Sequence, residues 1–307
     1  MSVGPELPPP GPHGGDGAAL AAALGVEPAA VLDLSASLNP VAPDPTPVVA
    51  AHLDAIGRYP DPRPATAALA AAMGVDPDRL VMTNGGAEAI AAVAAELGPG
   101  WVDEPEFSLY RRHLPAVHPG AARWRSNPHN PTGLLADPGD DASVWDEAFW
   151  PLATGAWSRG DAEAGALVLG SLTKLLACPG LRVGYVLCPD GAVAKRLRHR
   201  LPRWSLNGLA ADSLPDLLAP VDLPAWAGAV GRLRDRLGSL LQGAGYQPRP
   251  SDANWLLVHA PQLRRHLAGH GIAVRDCTSF GMAGTVRIAV PGPAGLDRLA
   301  AALVGRP

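Results

Sequence analysis

Lys174 is surrounded by residue types that could hold a phosphorylated aldehyde. Ser171 and Thr173 precede it in the segment G-S-L-T-K, which follows a predicted strand, and Arg182 stands eight positions further on. A lysine amine forms a Schiff base with an aldehyde, and hydroxyl and guanidinium groups hold a phosphate through charge-assisted hydrogen bonds. The alternative is a surface lysine at the start of a helix. Lys195 is the only other lysine of the chain, and its basic surroundings, K-R-L-R-H-R, are typical of a solvated helix face.

A second candidate anion site lies upstream, where a predicted strand passes into a helix. The segment T-N-G-G-A-E runs from Thr83 to Glu88. The backbone N–H groups of Gly86 and Ala87 would point at an anion beside the positive end of the helix dipole. Taken alone, a glycine pair at such a junction is more often only a turn.

Two further segments offer partners for a pyridine ring. In S-N-P-H-N-P-T-G the amide of Asn130 can donate to a ring oxygen, and in W-D-E-A-F the carboxylate of Asp146 can pair with a ring nitrogen. A carboxylate there keeps the nitrogen protonated, which makes pyridoxal 5'-phosphate (PLP) an electron sink. Each residue alone would be read as a loop asparagine or a surface acid. Together with Lys174, they indicate a PLP site.

The composition is that of a globular protein that acts on small molecules. The chain has 307 residues, of which 47% are hydrophobic, and a formal net charge of −4 at pH 7. This charge gives no general attraction to nucleic acid or to anionic membranes. The cysteines at 178, 188 and 277 suit neither a disulfide framework nor a zinc site. Because an apolar run of about 20 residues and a signal-peptide pattern are both missing, we expect a cytoplasmic protein without a membrane span.

An alternation of helices and short strands must position these groups. We expect an N-terminal arm and segment (1–57), a large PLP-binding α/β domain (58–203) and a small α+β C-terminal domain (204–307). Periodicity predicts a helix at 48–56 and strands at 80–83, 166–170 and 183–187.

These segments resemble, in content and in order, the fold-type I PLP enzymes of the class I/II aminotransferase family. The motifs are T-N-G-G-A-E, P-E-F, N-P-H-N-P-T-G, D-E-A-F, S-L-T-K and G-L-R-V-G. The resemblance implies an α/β fold with a mostly parallel mixed sheet in the large domain. It also implies a homodimer with shared sites, a catalytic Lys174 that carries the cofactor, and Phe107 stacked on the pyridine ring. The implied cofactor-binding residues are Gly86, Ala87, Phe107, Asn130, Asp146, Ser171, Thr173, Lys174, Arg182 and, reaching the partner subunit's phosphate, Tyr59.

Motifs towards the two ends of the chain narrow the resemblance. H-G-G-D, D-L-S-A-S-L-N-P, Y-P-D-P, W-S-L-N and R-D-C-T-S-F-G resemble the threonine-phosphate decarboxylases of cobalamin synthesis, which are near relatives of the histidinol-phosphate aminotransferases. W-S-L-N and R-D-C-T-S-F-G favour the decarboxylases. The resemblance implies that Arg287 grips the substrate carboxylate. His13, Ser37 and Asn39 lie in an arm and a loop that we expect to close over a substrate phosphate.

The expected reaction is decarboxylation of L-threonine O-3-phosphate to (R)-1-amino-2-propanol O-2-phosphate. Two alternatives stay open: an aminotransferase of the histidinol-phosphate type, and a non-catalytic PLP-binding or regulatory protein. The sequence does not fix which substrate bond stands perpendicular to the ring, and that orientation chooses the reaction.

The chain departs from the family pattern in two respects. The stretches between Tyr110 and Asn127 and between Gly133 and Asp146 are short, with hardly room in the first for an edge strand, a helix and a following strand. Loss of these elements would bare a sheet edge and could weaken the dimer. Phe149 stands where aminotransferases commonly place a tyrosine near the ring oxygen, which favours the decarboxylase.

Overall fold

The chain folds into two compact units. The structure, a computed structural model, describes residues 7–11 and 13–304. The larger unit consists of Ala42–Asn130 and Leu135–Ala227. The smaller unit contains Pro131–Leu134, the described residues up to Val41 and those from Gly228 onward. The domain boundaries after residues 57 and 203 stay predictions.

The helices of the described residues are α1 (Gly17–Leu24), α2 (Thr46–Ala51), α3 (Arg63–Met73), α4 (Gly85–Leu97), α5 (Ser108–His113), α6 (Trp150–Thr154), α7 (Leu172–Leu175), α8 (Gly191–Arg200), α9 (Gly208–Leu218), α10 (Leu223–Gly243), α11 (Leu263–Ala268) and α12 (Pro293–Leu303). The strands are β1 (Leu32–Leu34), β2 (Leu80–Asn84), β3 (Gly100–Val102), β4 (Ala122–Ser126), β5 (Val144–Asp146), β6 (Leu167–Ser171), β7 (Val183–Leu187), β8 (Trp255–His259), β9 (Ile272–Asp276) and β10 (Thr285–Ala289). Among the described residues, none of the helices has the length and apolar character that crossing a membrane requires.

The larger unit is built on a six-stranded sheet in the order β2-β7-β6-β5-β4-β3. Strands β3 to β6 run parallel, whereas β7 is antiparallel to both of its neighbours. The expected mostly parallel mixed sheet is therefore confirmed. Because β2 runs in the same direction as β4, β5 and β6, the carboxyl ends of these four strands lie along one edge of the sheet. Catalytic groups of open α/β sheets are commonly placed at this edge.

Burial in the core explains why β2, β6 and β7 are apolar. Val81, Leu169 and Val186 are all at most 2% exposed, and they join one core cluster with Trp124 and the alanine-rich face of α4. Small alanine side chains let a helix lie close to a sheet, and strands buried on both faces need continuous apolar residues.

The smaller unit contains a four-stranded sheet in the order β1-β9-β10-β8. β1 pairs parallel with β9, and the remaining pairs are antiparallel. Its core is formed by leucine, isoleucine and valine side chains of these strands together with α10, α11 and α12. The expected small α+β region is thereby present.

The structure tests two local predictions, the helix at 48–56 and the short stretch between Tyr110 and Asn127. The helix predicted at 48–56 is wrong in its extent, because α2 ends at Ala51 and a 3₁₀ turn follows over Leu53–Gly57. His52, with φ −110° and ψ 20°, breaks the helical hydrogen-bond ladder between them. The short stretch from Tyr110 to Asn127 holds only the end of α5, an isolated bridge from Val117 to Gly100, and β4.

Candidate active site

Three elements of the larger unit meet where a phosphate is expected to bind. β7 lies between β2 and β6, and its Gly184 is the register partner of both Thr83 and Ser171. The start of α4, the end of β6 and Arg182, just before β7, are therefore side by side. The sequence predicted each of these as an anion contact, and the fold brings them to one edge.

Glycine is required at this junction because the backbones and Arg182 approach very closely. A Cβ atom on Gly85 would lie 2.4 Å from a guanidinium nitrogen of Arg182, and Gly85 has φ +76°. A Cβ atom on Gly184 would lie 2.4 Å from the carbonyl carbon of Gly85. Gly85 and Gly184 were not singled out from the sequence, although both lie inside quoted motifs. They allow the start of α4, the end of β6 and Arg182 to enclose an anion. These three elements together are called the cradle.

The hydroxyl side of the cradle is already assembled. Ser171 Oγ and Thr173 Oγ1 are 2.8 Å apart and share a hydrogen bond. A Cβ atom on Gly86 would lie 3.6 Å from Ser171 Cβ, which places the start of α4 next to these hydroxyls. Gly86 and Ala87 lie in the first turn of this 13-residue helix, where backbone N–H groups have no helical acceptor. The donors match what a phosphate dianion requires.

Arg182 has a backbone conformation that is uncommon for arginine. Its φ is +57°, and its Nη1 donates to the carbonyl of Pro179 at 3.2 Å. A residue other than glycine in the left-handed region carries strain, and such strain is often found at functional sites. The strained backbone and the contact with Gly85 hold the guanidinium at the cradle.

Asp146 ends β5 and is held by two donors. Tyr110 donates its hydroxyl to Asp146 Oδ2 at 2.8 Å, and the Ala148 N–H donates to Oδ1 at 3.0 Å. Burial raises the pKa of Asp146 above its ordinary value, against the lowering effects of these donors and of the nearby Lys174. A buried carboxylate that nearby positive charge does not fully neutralise favours the protonated form of a ring nitrogen beside it.

Lys174 lies in α7, directly after β6. It is half-buried and close enough to Asp146 for their charges to attract. The predicted covalent attachment point and the predicted ring partner are therefore neighbours, while Lys195 lies on the separate helix α8.

Asn130 and Phe107 flank the same edge of the sheet. Asn130 is 7% exposed, and its backbone N–H donates to Ser126 Oγ at 2.8 Å. Ser126 is the register partner of Asp146. Phe107 packs edge-on against Tyr110, with ring centroids 5.8 Å apart. Tyr110 was missed by the sequence reasoning, although its place three residues after Phe107 puts both on one side of the same turn.

Tyr59 is not among these residues. Its ring is 76% exposed and stacks on Trp204, with centroids 4.2 Å apart. The expected contact of Tyr59 with the phosphate of a partner subunit stays a prediction.

The predicted substrate residues all belong to the smaller unit. Ser37 and Asn39 are buried on the segment after β1, where the side-chain amide of Asn254 donates to the carbonyls of Ser37 and Leu38. His13 is half-buried in the arm. The arm is attached through Ser35, whose Oγ accepts from the Gly15 N–H at 2.8 Å. These contacts order a segment whose composition predicted an irregular arm.

Arg287 is paired in the sheet with a second buried arginine. Its register partner is Arg275 on β9. Arg275 is 2% exposed and Arg287 is 7% exposed. Arg287 lies over the Trp255 ring, and Arg275 donates to Ser279 Oγ at 2.7 Å. Burial lowers the pKa of Arg287 to about 10. Arg275 was missed, although it opens the quoted motif R-D-C-T-S-F-G. Two buried guanidinium groups side by side favour an anionic ligand.

The comparisons with known proteins agree with this fold. Residues 124–303 match the family model of aminotransferase class I and II. The chain is 32% identical to the threonine-phosphate decarboxylase of Salmonella typhimurium, over 95% of each chain. It is 28% identical to the histidinol-phosphate aminotransferase of Chlorobium luteolum, over 66% of this chain and 69% of that protein.

A solved structure has the same fold. The histidinol-phosphate aminotransferase of Sinorhizobium meliloti in complex with pyridoxal-5'-phosphate superposes with a TM-score of 0.80 at 18% identity, over 97% of this chain and 94% of that one. Together with the family match and the similarity to the decarboxylase, this architecture defines the class as fold-type I PLP enzymes. The chain belongs to the aminotransferase class I and II family, as its motifs predicted.

Proposed function

We propose that this protein decarboxylates L-threonine O-3-phosphate to (R)-1-amino-2-propanol O-2-phosphate, in the service of cobalamin synthesis. The structural observation that carries the proposal is the buried pair Arg275 and Arg287, which suits the carboxylate of an amino-acid substrate. The similarity to a threonine-phosphate decarboxylase over nearly the whole chain supports the same reaction.

The protein is a PLP-dependent enzyme, and its own residues fit the cofactor. The Gly86 and Ala87 N–H groups and the Ser171 and Thr173 hydroxyls would bind the phosphate together with Arg182. This set provides backbone, hydroxyl and guanidinium donors around the space that Gly85 keeps open. When bound, PLP supplies a protonated ring that withdraws electrons from the substrate carbon.

The remaining predicted contacts hold the ring and the reacting groups. Asp146 would accept the ring N–H, Asn130 would donate to the ring oxygen, and Phe107 would cover one ring face. Lys174 would hold the cofactor through Nζ. Its amine would also deliver a proton to the substrate carbon that loses carbon dioxide.

The orientation of the substrate selects the bond that breaks. In this proposal Arg287 binds the carboxylate, with Arg275 beside it, and His13, Ser37 and Asn39 bind the substrate phosphate. Holding the carboxylate out of the ring plane favours loss of carbon dioxide. If the C–H bond stood there instead, Lys174 Nζ would remove that proton and transamination would follow.

A homodimer forms part of the proposal. Ile56, Tyr59 and Trp204 of the larger unit are 71%, 76% and 51% exposed. Exposed aromatic and aliphatic groups of this size mark surfaces that a partner covers, and a second copy would also bring Tyr59 to a cofactor phosphate. Light scattering after size-exclusion chromatography tests this, and a monomeric mass at micromolar concentration would contradict it. A cytoplasmic location stays a prediction, consistent with three free, buried cysteines.

The reaction is tested by incubating the PLP-loaded protein with L-threonine O-3-phosphate while carbon dioxide and the cofactor spectrum are followed together. Carbon dioxide release with unchanged total PLP supports the decarboxylase. Formation of pyridoxamine phosphate without carbon dioxide would instead support the aminotransferase. No change with either this substrate or histidinol phosphate would favour the non-catalytic reading. The Lys174→Ala variant is the control for background decarboxylation.

A further inference from the structure

A buried glutamate that the proposed reaction does not use lies next to the cofactor-binding edge. Glu106 precedes Phe107 and is 3% exposed. Its Oε1 accepts from the Ser126 N–H at 2.8 Å, and its Oε2 accepts from Ser126 Oγ at 2.5 Å. The Phe107 N–H also donates to Oε2, at 3.3 Å. Burial of an acidic group is costly, so its retention calls for a physical reason.

Ser126 connects this glutamate to Asn130. While Ser126 Oγ donates to Glu106, it accepts from the Asn130 backbone N–H at 2.8 Å. The hydroxyl thereby closes the loop from Ser126 to Asn130 and fixes the backbone from which the Asn130 amide projects. A second contact ties the same two segments together, since His129 Nε2 lies 2.7 Å from the Pro105 carbonyl.

The charged groups around Glu106 come from several elements. Asp146 on β5 lies close enough to Glu106 for its negative charge to raise the pKa of Glu106. Tyr110 on α5 lies near both Asp146 and Glu106. His129 Nε2 is 4.0 Å from Glu106 Oε1. Burial, as the main cause, raises the pKa of Glu106 to about 8, although the Ser126 and Phe107 donors favour the ionised form.

We propose that Glu106 is a positioning residue, which fixes the Asn130 backbone through Ser126 and so aims the Asn130 amide at the cofactor's ring oxygen. This inference rests on the proposed PLP site. A hydrogen bond to an oxygen that bears negative charge stabilises the deprotonated form. Misplacing the Asn130 amide would therefore make that oxygen more basic. The proton that the ring oxygen would share with the nitrogen of Lys174 is then held to a higher pH.

The test compares Glu106→Ala with Glu106→Gln in the PLP-loaded protein. Both variants remove the ionisable carboxyl group, but glutamine keeps the shape and the carbonyl acceptor for the Ser126 N–H. The readout is the pH midpoint of the visible absorption of the bound cofactor, with the PLP dissociation constant as a second measurement. We expect the midpoint of the alanine variant to lie about one pH unit above that of the glutamine variant, as for loss of one hydrogen bond to a charged group. Equal midpoints would overturn the proposal.

Ser126→Ala tests the link without changing Glu106. We expect a midpoint above that of the wild-type protein, and a Glu106→Ala/Ser126→Ala double variant that is shifted no further than Glu106→Ala alone. Fully additive shifts would mean that the two residues act separately, and would refute the connection. If Glu106→Ala does not fold, an unchanged midpoint in Ser126→Ala still refutes it.

Glu147→Gln is the matched control. Glu147 is another glutamate of the larger unit, 1% exposed, whose Oε1 accepts from the Arg159 N–H at 3.1 Å. Its substitution is expected to leave the midpoint unchanged, and a shift as large as that of Glu106→Ala would indicate a general effect of buried charge. Failure of the wild-type protein to bind PLP would refute the PLP site itself. Normal binding with equal Glu106 variants would refute only the positioning role.

Discussion

Tyr110→Phe removes one hydroxyl from the centre of the site and leaves the rest of the side chain in place. The ring is fully buried between Phe107 and Trp124, with centroids 5.8 and 5.7 Å away, and phenylalanine keeps both contacts. What is lost is the 2.8 Å hydrogen bond to Asp146 Oδ2. A hydrogen bond to a charged group contributes about 1.5–3 kcal/mol, so loss of the Tyr110 donor should raise the pKa of Asp146 further.

The upward change in the pKa of Asp146 makes the loss of stability depend on pH. Asp146 already has a raised pKa in the folded protein, and its ionised form there depends on the Tyr110 donor. At a pH above the pKa of Asp146, where its carboxylate is ionised, the cofactor-free variant should lose about 1.5–3 kcal/mol in its free energy of unfolding. Below that pKa, where Asp146 is protonated, the difference from the wild-type protein should shrink.

Urea unfolding of the cofactor-free protein over a series of pH values from 4 to 9 measures this difference. Tyr246→Phe, in the smaller unit, removes a tyrosine hydroxyl far from Asp146 in the sequence and serves as the control. A Tyr110→Phe effect that equals the control, or that is the same across the whole pH series, would refute the reasoning.

Three further predictions follow from the geometry. Arg182→Ala should weaken binding of PLP at least about tenfold but leave binding of pyridoxal, which lacks the phosphate, nearly unchanged; equal losses measured by fluorescence titration would contradict the phosphate role. Burial raises the pKa of Glu147 to about 7, so the contribution of this group to the free energy of unfolding should fall as the pH rises from about 4.5 to 7. Across that window, the free energy of unfolding of Glu147→Gln should rise by up to about 3 kcal/mol relative to the wild-type protein, as measured by denaturant unfolding. Arg275→Leu should raise the KM for L-threonine O-3-phosphate by at least about tenfold without altering the PLP affinity, and an unchanged KM would exclude Arg275 from substrate binding.

The sequence predicted elements best where local signals agreed with burial. Val183–Leu187 is an uninterrupted apolar run and is found as β7 with the same ends. In contrast, β5 has only three residues, Val144–Asp146, and its identity depends on pairing with β4 and β6. The extent of α2 was misjudged because the break at His52 is a backbone conformation, for which the alanine-rich surroundings give no signal.

The site was predicted as residue types in order, and the fold supplied their contacts. Lys174, Asp146 and Asn130 lie in motifs whose chemistry can be read directly. Tyr110 could not be assigned, because its value lies in a hydrogen bond to a residue 36 positions away. Glu106 was passed over for the same reason: within P-E-F it looks like a surface acid, and only the parallel pairing of strands buries it beside Ser126.

The most direct test of the central claim is where the cofactor becomes attached. The PLP-loaded protein should be reduced with borohydride, digested and analysed by mass spectrometry, since the chain offers only two lysines, Lys174 and Lys195. The account predicts a pyridoxyl group on Lys174, its loss in Lys174→Ala, and its retention in Lys195→Ala. Label on Lys195, or on neither lysine in a protein that binds PLP, would contradict it.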